Sequence, residues 1–347
     1  MGADVRRLRV LALMRDDLLP PESTSGMSAD ELSCAPWKTE YDIVASLGDL
    51  GHQVVKLGLY DDLAVLRKAI DEFKPEIAFN LMEAFSGEAL YDYNVVAYLE
   101  LKGVPYTGCN PRGLMIARDK ALSKKLLAYH RLRIPDFAVF KKGRAIHRPK
   151  RLKFPLFVKS VVEDASLGIS QASLVRDDAA LAARVRFVHE HTGKGAIAEE
   201  FIEGRELYVG VVGNQRLEVL PVWELLFDKK PEDVPLIATA AAKWNLKYQK
   251  KWGVMSRAAE DLPPQIDEHI ARSCKRIYRI LGLSGYARFD FRLEPRGRLY
   301  FLEANPNPAL SCDEDFATSA AKKGISFERL IQRILNLGLR WEPWQAL

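Results

Sequence analysis

Arg288, Asp290, Glu303 and Asn305 fall within one stretch, Gly285-Tyr-Ala-Arg-Phe-Asp-Phe-Arg-Leu-Glu-Pro-Arg-Gly-Arg-Leu-Tyr-Phe-Leu-Glu-Ala-Asn305, which reads as two strands joined by a tight turn. Side chains two apart in a strand share a face, so Arg288 and Asp290 point one way while Phe289 and Phe291 point the other, and Glu303 pairs with Asn305. Glu294-Pro-Arg-Gly297 has Pro second and Gly fourth, as a type I turn prefers, which predicts antiparallel neighbours. Two carboxylates and an amide oxygen then converge. Mg2+ takes oxygen ligands and is usually held by one or two carboxylates plus substrate phosphates, so Asp290, Glu303 and Asn305 are candidate metal ligands of a nucleotide site. A hairpin with a solvated charged face would carry the same residues. Against it, Leu299 and Phe301 are expected on the face of Glu303, so the strand turns polar only at its end, where Asn305-Pro-Asn-Pro308 must leave the sheet.

The elements that must hold this group are spread over 347 residues, too many for one ordinary core, so two or three domains are expected. Strand-like segments at 8–14, 53–57 and 76–81 alternate with helix-like segments at 38–50 and 63–73. Such alternation predicts a parallel sheet with crossover helices, an α/β domain ending near residue 115. Residues 18–36, rich in Pro, Ser and Asp, read as a long loop that could wall a substrate site. A basic helix is expected at 119–132, strands at 137–140 and 155–159, a helix at 177–191, and strands at 196–201, 206–212 and 217–226. After a loop from 227 to about 257 come a helix at 264–281, the hairpin, and a closing helix at 327–337.

Composition narrows the function classes. Hydrophobic content of 48% suits a globular chain, and no apolar run reaches the ~18 residues of a membrane span. Arg6, Arg7 and Arg9 precede a short strand-like segment, not the long apolar region of a signal peptide, so a cytoplasmic protein is expected. Cys34, Cys109, Cys274 and Cys312 lack metal or disulfide spacing, which suits a reducing compartment. The net charge is +5, and Lys141, Lys142, Arg144, Arg148, Lys150, Arg151 and Lys153 crowd one segment. Without interleaved aromatics this reads as a solvated connector, not a nucleic-acid surface. His189 and His191 flank Glu190 at an expected helix end and read as surface histidines. There is no Ser/His/Asp or Cys/His arrangement to suggest a side-chain nucleophile.

Taken in order, the motifs resemble the ATP-grasp superfamily, most closely its D-alanine:D-alanine ligase-like branch, over nearly the whole chain. Met115-Ile-Ala-Arg-Asp-Lys120 resembles the helix start whose lysine reaches the nucleotide phosphates, and Phe154-Pro-Leu-Phe-Val-Lys159 resembles the strand ending in a second phosphate lysine. A lysine on a helix, or at the end of an apolar strand, can also simply reach solvent. Residues 163–168 resemble the loop that closes over the phosphates, with Ser166 as a contact. Ala198-Glu-Glu-Phe-Ile-Glu-Gly-Arg-Glu206 resembles the segment in which Glu199, Glu200 and Ile202 line the adenine and Glu206 holds the ribose; an acidic-rimmed hairpin is the plainer reading. Ala242-Lys243-Trp244 matches the place where a mobile loop brings a lysine, Lys243, to the γ-phosphate, and Arg288 resembles the arginine that stabilises the oxyanion.

The resemblance implies an α/β (α+β) protein of ATP-grasp fold: an N-terminal parallel-sheet α/β domain (1–115), a central subdomain (116–200) and a C-terminal subdomain with the metal site (201–347), ATP lying between the last two. It implies ATP and two Mg2+ ions, with Mn2+ as a substitute, an acyl-phosphate intermediate, an ADP-forming carbon–nitrogen ligation of small amino-acid-like substrates, and a homodimer. The departures lie where specificity should reside. The family's glycine-rich first loop, with a glutamate for the first D-alanine, is replaced by Arg15-Asp-Asp-Leu-Leu-Pro20; Ala165 and Trp244 stand where serine and tyrosine are usual; and Cys312-Asp313-Glu314-Asp315 stands where Ser-Leu holds a substrate carboxylate. Three acids repel a carboxylate and favour an amine. The expectation is a ligase for substrates other than two D-alanines, with a genuine D-alanine:D-alanine ligase, a kinase and a nucleotide-binding scaffold as alternatives.

Overall fold

The computed structural model describes residues 6–162, 169–229, 237, 239, 242 and 245–343. Its first sheet is three-stranded and parallel, in the order β2-β1-β3, from β1 (Arg9–Arg15), β2 (Gln53–Leu59) and β3 (Ile77–Asn80). Each residue from Val10 to Met14 is fully buried, because β1 has packing on both faces, as central parallel strands require. Leu11 and Leu13 meet Leu66, Ile70 and Val95, while Val10, Ala12 and Met14 join Ile43, Leu47, Ile331 and Leu335. The helices are α1 (Ala29–Ser33), α2 (Lys38–Asp49), α3 (Leu63–Phe73) and α4 (Asp92–Leu101). The long loop expected at 18–36 contains α1, which a reciprocal Ser28–Glu31 capping box starts.

Helices α5 (Pro111–Arg118) and α6 (Lys120–Tyr129) follow. Asp119 separates them: its extended backbone ends α5, and its carboxylate accepts from the N–H groups of Ala121 and Leu122, capping α6. A four-stranded antiparallel sheet, in the order β4-β7-β5-β6, comes from β4 (Phe137–Phe140), β5 (Leu156–Ser160), β6 (Leu174–Val175) and β7 (Ala196–Glu200). Helix α7 (Asp178–Thr192) covers it with Leu181, Val185 and Val188.

The last sheet runs β11-β10-β8-β12-β13, with β9 also paired to β8. Its strands are β8 (Arg205–Val212), β9 (Glu218–Val219), β10 (Trp223–Phe227), β11 (Val254–Ala258), β12 (Tyr286–Leu293) and β13 (Leu299–Pro306). The single strand expected at 217–226 is divided at 220–222, where Pro221 has no N–H to give a ladder. The expected loop 227–257 holds α8 (Leu246–Trp252) and β11. Helix α9 (Ile266–Ile280) packs Ile270, Cys274 and Ile277 into the same core as Phe289, Phe291 and Phe301. Helices α10 (Asp315–Lys322) and α11 (Phe327–Leu339) close the chain, α11 lying beneath the first sheet.

Candidate nucleotide and metal site

The β12–β13 pairing sets Arg288 opposite Asn305 and Asp290 opposite Glu303, so all four side chains share one face. The turn forms as the sequence predicts: the Gly297 N–H donates to the Glu294 carbonyl at 2.9 Å. One expectation is corrected. The register passes from Asp290↔Glu303 to Phe291↔Phe301, making Leu302 a bulged extra residue that reverses the alternation. Leu299 and Phe301 therefore lie with Phe289 and Phe291 in the core, on the face opposite Glu303.

Arg288 donates to both Asp290 oxygens, at 2.8 and 3.0 Å, and the Asn305 amide donates to Asp290 Oδ2 at 3.1 Å. The Arg288 guanidinium also lies 4.8 Å from the Tyr208 ring centroid. Burial disfavours its charge, but Asp290 more than offsets this and the guanidinium is held above its usual range. From β5, Lys159 reaches Glu303 Oε2 at 3.1 Å and Glu199 Oε2 at 3.8 Å. Burial opposes its charge too, and Glu199 and Glu303 together reverse the effect, raising it. Two carboxylates and an amide oxygen on adjacent strands form a hard-donor set, with cations already balancing them, and these residues fit a divalent ion of the Mg2+ kind.

Beside this group opens a cleft lined among others by Lys159, Glu199, Glu200, Ile202, Glu206, Asp290 and Glu303. Glu206 Oε2 accepts from Arg292 at 2.7 Å, and its Oε1 from the Tyr208 hydroxyl at 3.0 Å. Glu200, which also lines the cleft, accepts from the Lys153 N–H at 3.0 Å. Gly204 has φ +140°, and a Cβ there would strike the Leu293 carbonyl, so only glycine lets the 201–204 segment run this close to β12.

Lys120 is not among the residues lining the cleft. It is buried at the start of α6, its N–H donating to the Val161 carbonyl just past β5 at 3.2 Å. Ser166 and Lys243 lie outside the described residues, as do Ala165, Gly168 and Trp244. Ile169 and Ile237, close to those two segments in sequence, do line the cleft.

Sequence reasoning missed Lys124 and Arg292. The Lys124 ammonium is wholly buried, 2.6 Å from the Leu302 carbonyl and 3.4 Å from Glu199 Oε1, and burial lowers it to about 8. Its signal was spacing: Lys124 follows Lys120 by four and lies on the same helix face.

The acids after β13 are partly compensated. Lys38 of α2 pairs with Asp42 and lies 3.7 Å from Asp313, and the Thr39 and Ser311 hydroxyls are 2.7 Å apart. Asp42, Cys312 and Asp313 are clustered closely enough to ligate an ion, but Lys38 occupies the same group. Burial raises the Glu314 carboxyl, with Asp315 adding and Arg288 opposing, so this acid lies in the field of the hairpin arginine. At the carboxyl ends of β1 and β3, Glu40 is buried, and its Oε2 has no hydrogen-bond partner among the described residues.

A family model described as the D-ala D-ala ligase C-terminus matches residues 126–336. A D-alanine–D-alanine ligase of Nitratidesulfovibrio vulgaris is 31% identical over 314 residues, covering 87% of this chain and 95% of its own. An uncharacterised protein of Sinorhizobium fredii is 31% identical over 320 residues, covering 88% and 89%. Among solved structures, the D-alanine–D-alanine ligase of Bacillus anthracis complexed with ATP has a TM-score of 0.73 over 96% of this chain and 98% of its own; at 23% identity this is a likeness of fold.

Proposed function

The chain belongs to the D-alanine–D-alanine ligase family of ATP-grasp proteins, and on that premise we propose that it joins two amino-acid-like substrates other than a pair of D-alanines. It is an ATP-dependent, ADP-forming ligase of carbon–nitrogen bonds that uses a divalent metal. The observation that carries the finer reading is the run Asp313-Glu314-Asp315 beside Arg288, where the family's Ser-Leu would hold a substrate carboxylate. Glu40, in the first turn of α2, supports it. It lies at the carboxyl ends of β1 and β3, where the strand order reverses and open α/β sheets bind ligands, with Glu83, Asp17 and Arg15 as its charged neighbours. An amine fits this field better than a second carboxylate.

In the reaction, one substrate carboxylate takes the γ-phosphoryl group from ATP, giving ADP and an acyl phosphate. The amine of the other substrate then attacks the acyl carbon, loses its proton, and displaces phosphate as the amide forms. Positioning and charge neutralisation carry such transfers. Asp290, Glu303 and Asn305 would hold two Mg2+ ions, which supply charge neutralisation to the phosphates when bound. Lys120, Lys159, Ser166 and Lys243 are assigned to the phosphates, Glu199, Glu200 and Ile202 to the adenine, and Glu206 to the ribose. Arg288, oriented by Asp290, is assigned to the oxyanion of the tetrahedral intermediate. We take the units to be 1–115, 116–200 and 201–347, ATP lying between the last two, in a cytoplasmic homodimer. No helix of the described residues is long and apolar enough to cross a membrane.

The second reading, a genuine D-alanine–D-alanine ligase, is favoured by the named relatives. The two separate by incubating the protein with ATP, Mg2+ and either D-alanine alone or pooled amino acids, following ADP, phosphate and new amide masses. Efficient formation of D-alanyl-D-alanine from D-alanine alone sinks the first reading.

A further inference from the structure

Leu302 is the residue of β13 that has no partner on β12, and its carbonyl accepts the buried Lys124 ammonium at 2.6 Å. The extra residue decides the site's geometry. Without it, regular alternation would send Glu303 to the core face with Phe301, away from Asp290. A bulge removes a residue from the ladder, and a buried carbonyl there still needs a donor. Lys124 supplies it from α6, while the same ammonium lies 3.4 Å from Glu199 and 5.6 Å from the Phe301 ring centroid. One group thus ties together a helix, the end of β7 and the bulge.

We propose that Lys124 is a positioning residue for the metal site, holding the Leu302 bulge so that Glu303 stands on the face of Asp290. The proposal rests on the metal-nucleotide reading above. Lys124 touches neither metal nor substrate in this role. It acts through the backbone next to Glu303, as residues behind a ligand commonly do.

The test measures Mn2+ binding by electron paramagnetic resonance in the presence of a non-hydrolysable ATP analogue, with analogue affinity measured separately. Lys124→Met keeps the aliphatic stem against Phe301 and removes the donors. Its Mn2+ affinity should fall about tenfold or more, with a smaller change in analogue affinity. Unchanged Mn2+ affinity in the variant overturns the proposal. Because the substitution leaves Glu199 without one of its counter-cations, the double variant Lys124→Met/Glu199→Gln separates two routes and serves if the single variant does not fold. Recovered Mn2+ binding means that Lys124 only neutralised Glu199, which overturns the proposal; persistent weakness supports action through the bulge. Wild-type protein that binds the analogue but no Mn2+ overturns the metal reading and this proposal together, whereas equal Mn2+ binding by wild type and variant overturns the proposal alone.

Discussion

The Lys159 ammonium lies 3.1 Å from Glu303 Oε2, joining the end of β5 to the β12–β13 hairpin across the cleft. This ion pair already holds the polar groups that ATP and a cation would re-pair, the lysine to phosphate and the carboxylate to metal. Lys159→Met should raise the KM for ATP and also lower the melting temperature, because Glu303 and the buried Glu199 lose a counter-charge. Breaking such a pair costs roughly 3 kcal/mol. Nucleotide titration and thermal melts check the two effects, and an unaltered KM removes Lys159 from the phosphate site.

Asp290→Asn and Glu303→Gln should each leave a folded protein with turnover reduced on the order of a hundredfold or more, through weaker metal binding. Phosphate release at saturating ATP, repeated at raised Mg2+, checks this. Normal activity in both variants would remove the hairpin from the metal site.

Much of this was legible because it depends on local pattern. The alternation around Asp290 and the Pro-Gly turn fix a hairpin by themselves, and β1 reads as a buried strand because both its faces are apolar. The Leu302 bulge was not legible, since a strand's period cannot register one residue dropped from pairing. Nor was Lys124: a basic residue on a helix reads as solvated unless the strand that buries it is known. The same holds for Arg292, whose partner Glu206 lies on a strand 86 residues away. The short helices α1 and α8 were missed because each spans only one or two turns, too few for a periodic signal.

The Arg292–Glu206 pair gives a prediction that separates charge from contact. Arg292 also donates to the Gly204 carbonyl at 3.1 Å, so Arg292→Met removes a support of the 201–204 segment as well as an ion partner. Its ATP affinity should fall about tenfold, roughly 1.4 kcal/mol. Glu206→Gln keeps the Tyr208 contact and should weaken binding less. Equal losses in the two variants, measured by calorimetry, would contradict a supporting role for Arg292.

Gly204→Ala should destabilise the fold by roughly 2 kcal/mol, because the added carbon meets the Leu293 carbonyl at a backbone angle that other residues rarely adopt. The urea midpoint should fall without a change in slope. Nucleotide affinity should fall with it, since the displaced segment carries Ile202. An unchanged midpoint would show that β12 yields at this contact.

Glu40 makes the stability depend on pH. Burial, with a backbone hydrogen bond and Arg15 opposing it and Glu83 and Asp17 adding to it, raises its carboxyl to about 7, whereas in the unfolded chain it titrates near 4.5. Between these values the folded protein retains a proton that the unfolded chain has lost. The stability contributed by the neutral carboxyl is therefore fully present below about 4.5 and is lost as pH rises through about 7. Glu40→Gln, neutral at every pH, should match the wild type in stability at pH 4 and exceed it at pH 8, by up to roughly 3 kcal/mol. Other groups titrating in this range cancel in the difference between the two proteins. If the variant gains nothing at pH 8, Glu40 has found a partner in solution and its carboxyl is not raised. If a substrate bearing an amine, added to both proteins at pH 8, stabilises the wild type more than the variant, that amine pairs with Glu40.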